Sequence, residues 1–164
     1  MSIFNLFKKK TNNDAICGGV VKDYYLDDYS DNINSNNITS FEYECGDYYL
    51  KCFIDNNQLH IISHGGNIER SEVVKFEVDY YSKNNDLLDK LNNIIKENEL
   101  YKNNGHIHEV GGLPPGLGDK LDIVYDSGEK IHKSSNQYPH IEDKVALEIY
   151  NLFRDNAKEN GYNY

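Results

Sequence analysis

The sequence predicts an α+β fold in which two helices pack on a mostly antiparallel sheet. Short runs of β-branched and aromatic residues alternate with turn-forming residues, as in consecutive strands. Two other segments repeat apolar residues at helical spacing. Because the strand runs follow one another through short connections, neighbouring strands should pair antiparallel. The predicted order is a four-strand meander, a helix, a short strand, a hairpin and a C-terminal helix, and 164 residues suit one domain of this kind.

Four strand runs form the predicted meander. They cover residues 38–45, 47–54, 58–64 and 72–79. Gly46 and the tripeptide 55–57 supply hairpin-type turns between the first three runs. In the fourth run, Val74, Phe76 and Val78 alternate with polar residues, which is typical of a strand with one buried face.

Two segments carry the periodicity of amphipathic helices. In the first, the apolar residues are Leu87, Leu88, Leu91, Ile94 and Ile95. This helix should begin after Asn84 and Asn85, which are capping residues, and end before Gly105. In the second, the apolar residues are Ile141, Val145, Ile149, Leu152 and Phe153. It should begin behind Pro139 and end at Gly161.

The chain between the helices completes the predicted sheet. Residues 106–110 form a short strand, and residues 111–118 form a loop rich in Gly and Pro. Apolar residues then alternate along 121–125, and the turn Asp126-Ser127-Gly128 leads into a strand over 129–135. This pair is the predicted hairpin.

The predicted domain organisation is an N-terminal arm and polar linker over residues 1–37, followed by a single α+β domain over 38–164. Residues 30–37 hold one apolar residue among polar ones, as linkers do. Residues 15–26 carry enough apolar side chains to add a strand or short helix to the domain.

The charge balance narrows the class of partner. There are 27 acidic and 17 basic residues, which gives a formal net charge of -10. An acidic surface repels phosphate backbones and anionic lipids, so neither nucleic acid nor membrane is expected as a partner. The same charge favours a basic protein partner or a cation, and the alternative is a surface charge that serves solubility alone. No cofactor is needed to explain folding at this length.

The cysteines and the N-terminus predict a cytoplasmic protein. Cys17, Cys45 and Cys52 are odd in number and lack Cys-x-x-Cys spacing, which is typical of a reducing compartment. At the N-terminus, apolar residues 3–7 precede Lys8 to Lys10, the reverse of a secretory signal.

A set of strand, turn and cap features extends from residue 38 to residue 141. They are Ser40-Phe41, residues 91–101 ahead of Asn104-Gly105, residues 121–129, and Asn136 with Pro139. In these features the chain resembles a family of uncharacterised small proteins and lipoproteins from low-GC Gram-positive bacteria. It differs from that pattern in having no tryptophan before Asn104-Gly105, in the loop 111–118 and in lacking an export signal. The resemblance implies an α+β fold in a bacterial protein, and it brings no catalytic residue.

The predicted binding surface is the loop over residues 111–118 with the adjoining ends of the strands that carry His106, His108 and Asp119. The loop carries Leu113, Pro114, Pro115 and Leu117, apolar residues that a short Gly-rich loop has little means of burying. The alternative is that Leu113 and Leu117 fold back and cap the open end of the sheet. His106 and His108 lie two residues apart in a strand, so both rings should lie on one face. His60 and His64 share a face of another strand in the same way. Whether these histidines converge on a metal is left open by the sequence.

Catalytic signatures do not appear in the sequence. There is no Gly-x-Ser-x-Gly elbow, and the loop 111–118 lacks the Gly-Lys-Ser/Thr ending of a phosphate loop. We therefore expect a non-catalytic cytoplasmic protein-binding module rather than an enzyme, one specific form being an immunity-type protein that neutralises a basic toxin. The alternative is a metal-dependent hydrolase that uses the strand histidines.

Overall fold

A computed structural model describes residues 19–69, 72–113 and 117–162, with residues 66–69 and 72–75 described as backbone only. The described residues form eight strands and two helices. The strands are β1 (Val21–Tyr25), β2 (Ile38–Cys45), β3 (Tyr48–Asp55), β4 (Gln58–Glu69), β5 (Glu72–Tyr81), β6 (His106–Val110), β7 (Asp119–Tyr125) and β8 (Lys130–Ser135). The helices are α1 (Asp86–Glu97) and α2 (Asp143–Glu159).

All eight strands belong to one sheet, in the order β1-β6-β8-β7-β2-β3-β4-β5. Neighbouring strands are antiparallel except β6 and β8, which are parallel. The predicted α+β class and the mostly antiparallel sheet are therefore confirmed. The four-strand meander is β2 to β5, and the hairpin is β7 with β8.

The predicted order of elements is wrong in one respect, because it omits β1. This strand comes from the N-terminal arm and pairs with β6 along its whole length, from Val21 opposite Val110 to Tyr25 opposite His106. All five of its residues are exposed, so the strand shows no burial pattern. Backbone pairing and polar side-chain contacts with β6 hold it in the sheet, and an apolar pattern reveals neither.

The core lies between the helices and one face of the sheet. The apolar residues predicted for α1 are buried, as are Val145, Ile149 and Phe153 of α2, while Leu152 is half-buried. From the sheet, the largest fully buried side chains are Phe41, Leu50, Leu59, Ile61, Leu121, Ile123 and Ile131. No helix in the described part of the chain is long and apolar enough to cross a membrane.

The polar stretch before β2 is held against the turn between β7 and β8. The backbone N–H groups of Asn34 and Ser35 each donate to the Glu129 carboxylate at 2.9 Å. The Ser35 hydroxyl donates to Asp126 at 2.7 Å. The hydrogen bonds from Asn34, Ser127 and Ser35 lower the pKa of Glu129 to about 2. The stretch predicted as a linker therefore has a defined path over the sheet.

Candidate functional site

The loop between β6 and β7 is attached to the fold at both ends. At its start, the Gly111 N–H donates to the Val20 carbonyl at 3.1 Å. At its end, a Cβ added to Gly118 would lie 2.0 Å from the Ser135 carbonyl oxygen, so only glycine fits there. Leu117 is 47% exposed and Leu113 is half-buried. Pro114 and Pro115 lie outside the described residues.

The two strand histidines of β6 lie on one face of the sheet and meet the same carboxylate. His106 Nε2 lies 2.7 Å from Asp23 Oδ1 of β1, and His108 Nδ1 lies 3.9 Å from Asp23 Oδ2. His108 is 1% exposed and pairs with Gln137 at 2.8 Å. The histidine that reaches the surface is thus His106, which is half-buried against the Tyr25 ring.

A second imidazole extends this contact into a chain of four groups. His106 Nδ1 lies 2.9 Å from His140 Nε2, and His140 Nδ1 lies 3.0 Å from Asp119 Oδ1. Asp119 is buried at the start of β7, and it also accepts the backbone N–H groups of His140 and Ile141 at 2.8 Å and 3.0 Å. The chain therefore runs from Asp23 near the surface to a carboxylate in the interior.

The number of protons in this chain follows from its three hydrogen bonds. Each bond needs one proton, whereas two neutral imidazoles supply two. The bond between the facing nitrogens of His106 and His140 is the one that needs the third proton, because the other nitrogen of each ring faces a carboxylate. The arrangement can hold a proton and move it between the two rings.

Among the described residues, no three His, Cys, Asp or Glu side chains lie close enough together to hold a metal ion. His60 and His64 belong to β4 and lie on the opposite face of the sheet from His106 and His108. The histidines considered for the hydrolase alternative are thus divided between two faces.

The sheet face opposite the helices, here called the outer face, carries three rows of side chains across β3, β4 and β5. The rows are Phe53, His60 and Tyr81; Lys51, Ile62 and Asp79; and Tyr49, His64 and Glu77. Residues opposed in antiparallel strands share a face, and the alternate residues of β3 and β4 point into the core.

Aromatic rings stack along this face. The His60 ring stacks on Tyr81 with centroids 4.5 Å apart and lies 4.9 Å from the Phe53 ring. Tyr49 stacks on His64 at 4.9 Å. We call these five residues the outer patch. Since both described helices lie on the other face, the outer patch faces solvent within the described part of the chain.

Carboxylates surround the outer patch. They are Glu44, Asp55, Glu77 and Asp79. The Tyr81 hydroxyl donates to Asp55 at 2.8 Å, which raises the pKa of Tyr81. The cation in these rows, Lys51, is ion-paired with Glu42 at 2.9 Å. The surroundings of the aromatic rings are therefore acidic.

Several residues of these two regions are missed by sequence reasoning. Asp23 and His140 come from two separate segments, and nothing in the sequence signals that they meet His106. Asp119 differs from them, because the start of its strand adjoins the predicted loop surface. The sequence gives a weak indication of the outer patch. Tyr49, Phe53 and Tyr81 are aromatic residues at strand positions that usually carry polar side chains. That signal does not say whether a further layer covers them.

Comparison with known proteins adds no relative. No family model, no curated protein and no solved structure matches the chain.

Proposed function

We propose that this protein is a non-catalytic cytoplasmic binding module whose outer patch binds a basic protein partner. The observation that carries the proposal is the open sheet face, where stacked aromatic rings are surrounded by carboxylates. The cytoplasmic placement is supported by the free thiols of Cys45 and Cys52.

The chemistry of the outer patch suits the side chains of arginine and lysine. The face of an aromatic ring attracts a cation, and a neighbouring carboxylate can pair with the same group. Tyr81 is 48% exposed and lies beside Asp55, so its ring and this carboxylate could contact one guanidinium together. Aromatic residues are enriched in protein interfaces because they bury a large area with few rotatable bonds.

The net charge of -10 means that the chain as a whole, and not only the outer patch, attracts a basic partner. Complementary charge speeds association with a basic protein and makes it sensitive to salt. An immunity-type role, in which a basic toxin is neutralised by capture, is one specific form of this function.

The proposal can be tested with a nona-arginine peptide as the probe. We expect amide chemical shifts in nuclear magnetic resonance spectra to change at β3, β4 and β5, and binding to weaken as salt is raised. Tyr81→Ser should weaken binding by roughly fivefold, the loss of about 1 kcal/mol of cation–π and contact energy.

The matched control is Tyr24→Ser, because Tyr24 is 43% exposed in β1 at the far edge of the sheet. This variant should bind the peptide as the wild type does. If the shift changes instead centre on the acidic residues near Asp27 and Asp28, and Tyr81→Ser binds normally, the outer patch is not the binding surface.

A further inference from the structure

Lys133 of β8 is a buried lysine that forms no ion pair with any described residue. It lies opposite Leu121 on the helix side of the sheet and is 6% exposed. Within the described residues no hydrogen bond or ion pair reaches its ammonium group. By contrast, Lys51 and Lys120 on the outer face are paired with carboxylates at 2.9 Å and 2.7 Å.

Lys133 lines an open pocket of about 260 Å³ between the turns that follow α1 and the start of α2. Other lining residues are Asn98, Leu100, Lys102, Asn103, His140 and Glu142. The volume is near the lower limit for ligand pockets, so the pocket suits a small molecule. It lies on the helix side of the sheet, so it is separate from the outer patch.

Burial of an unpaired ammonium group destabilises the folded protein. Burial lowers the pKa of Lys133, and the charges of Asp119 and Asp31 offset only part of this effect. Neither carboxylate forms an ion pair with Lys133. Asp119 instead forms hydrogen bonds with the His140 ring and the Ile141 backbone N–H. An anionic group of a ligand would supply a direct ion-pair partner.

We propose that this pocket binds a small carboxylate-bearing molecule of about amino-acid size, with the ligand carboxylate paired to Lys133. Glu142 lies on the same pocket, and its exposed carboxylate can pair with an amino group of the ligand. The Asn98 and Asn103 amides can hydrogen-bond the remaining polar atoms. A zwitterionic amino acid therefore fits better than a simple carboxylate.

The test uses glycine, acetate and chloride as probes with the full chain. Lysine side-chain signals in nuclear magnetic resonance spectra report directly on Lys133 in the wild type. We expect glycine and acetate to shift the Lys133 signal with dissociation constants of roughly millimolar size, as suits so few atoms. Glycine should bind more tightly than acetate, and Glu142→Gln should remove that difference.

Lys133→Met keeps the side-chain length and removes the charge, so it should fold and bind both probes at least about tenfold more weakly. The matched control is Lys102→Met, because Lys102 lines the same pocket but is exposed and ion-paired with Glu99. It should bind as the wild type does.

Two results would overturn the proposal. One is a Lys133 signal that does not move with any probe up to about 50 mM, far above the expected dissociation constant. The other is an equal response to chloride, which would show a site without preference for carboxylates. Both are read in the wild type and are independent of how the variants fold.

Discussion

The imidazoles of His106 and His140 are joined by a hydrogen bond, with 2.9 Å between His106 Nδ1 and His140 Nε2. Because Asp23 and Asp119 accept from the two outer nitrogens, we expect a proton on each outer nitrogen and a third proton shared by the inner pair. Long-range ¹H–¹⁵N spectra measure this directly, with the exposed His64 as the reference ring. Inner nitrogens that both lack a proton would contradict the assignment.

Leu91 of α1 is fully buried in the core. Leu91→Ala should lower the free energy of unfolding by about 2 to 5 kcal/mol, because it removes apolar contacts and leaves a cavity. Leu147→Ala is the control, since Leu147 is 58% exposed on α2 and should change stability by under about 0.5 kcal/mol. Denaturant unfolding compares the two. Equal effects would mean that α1 does not pack as described.

Positions 118 and 112 both favour glycine, but for different physical reasons. At Gly118 a Cβ would meet the Ser135 backbone, which cannot move aside, so Gly118→Ala should cost about 3 kcal/mol or more. At Gly112 there is open space but a φ of +81°, so Gly112→Ala should cost about 1 kcal/mol of backbone strain. Thermal unfolding should rank them in this order, and the reverse order would show that the end of the loop does not contact Ser135.

Glu129 should make stability depend on pH. Its folded pKa of about 2 is below the ordinary value of a glutamate, so its stabilising effect is complete above about pH 4.5. The effect is then lost as the pH falls toward 2. Unfolding of the wild type and of Glu129→Gln should therefore differ most near neutral pH and converge in acid. A constant difference would mean that the carboxylate charge has no role in holding Asn34 and Ser35.

The local elements follow from the sequence alone. Alternating apolar residues, the turns at Gly46 and Gly128, and the helical spacing of Leu87 to Ile95 are set by neighbours within a few residues. These local patterns determine the α+β class, the four-strand meander, the hairpin and both helices. The loop 111–118 is also recognisable, because glycine and proline mark it whatever surrounds it.

Only the tertiary structure decides how these elements meet. The apolar side chains of residues 15–26 allow a strand or short helix there, but they do not show which strand it joins, because the pairing of β1 with β6 uses backbone hydrogen bonds. The contacts among Asp23, His106, His140 and Asp119 join residues between 21 and 83 positions apart through the order of strands in the sheet. For the same reason, the sequence does not show that Lys133 is buried or that no other described element covers the outer patch, since both depend on which face the helices occupy.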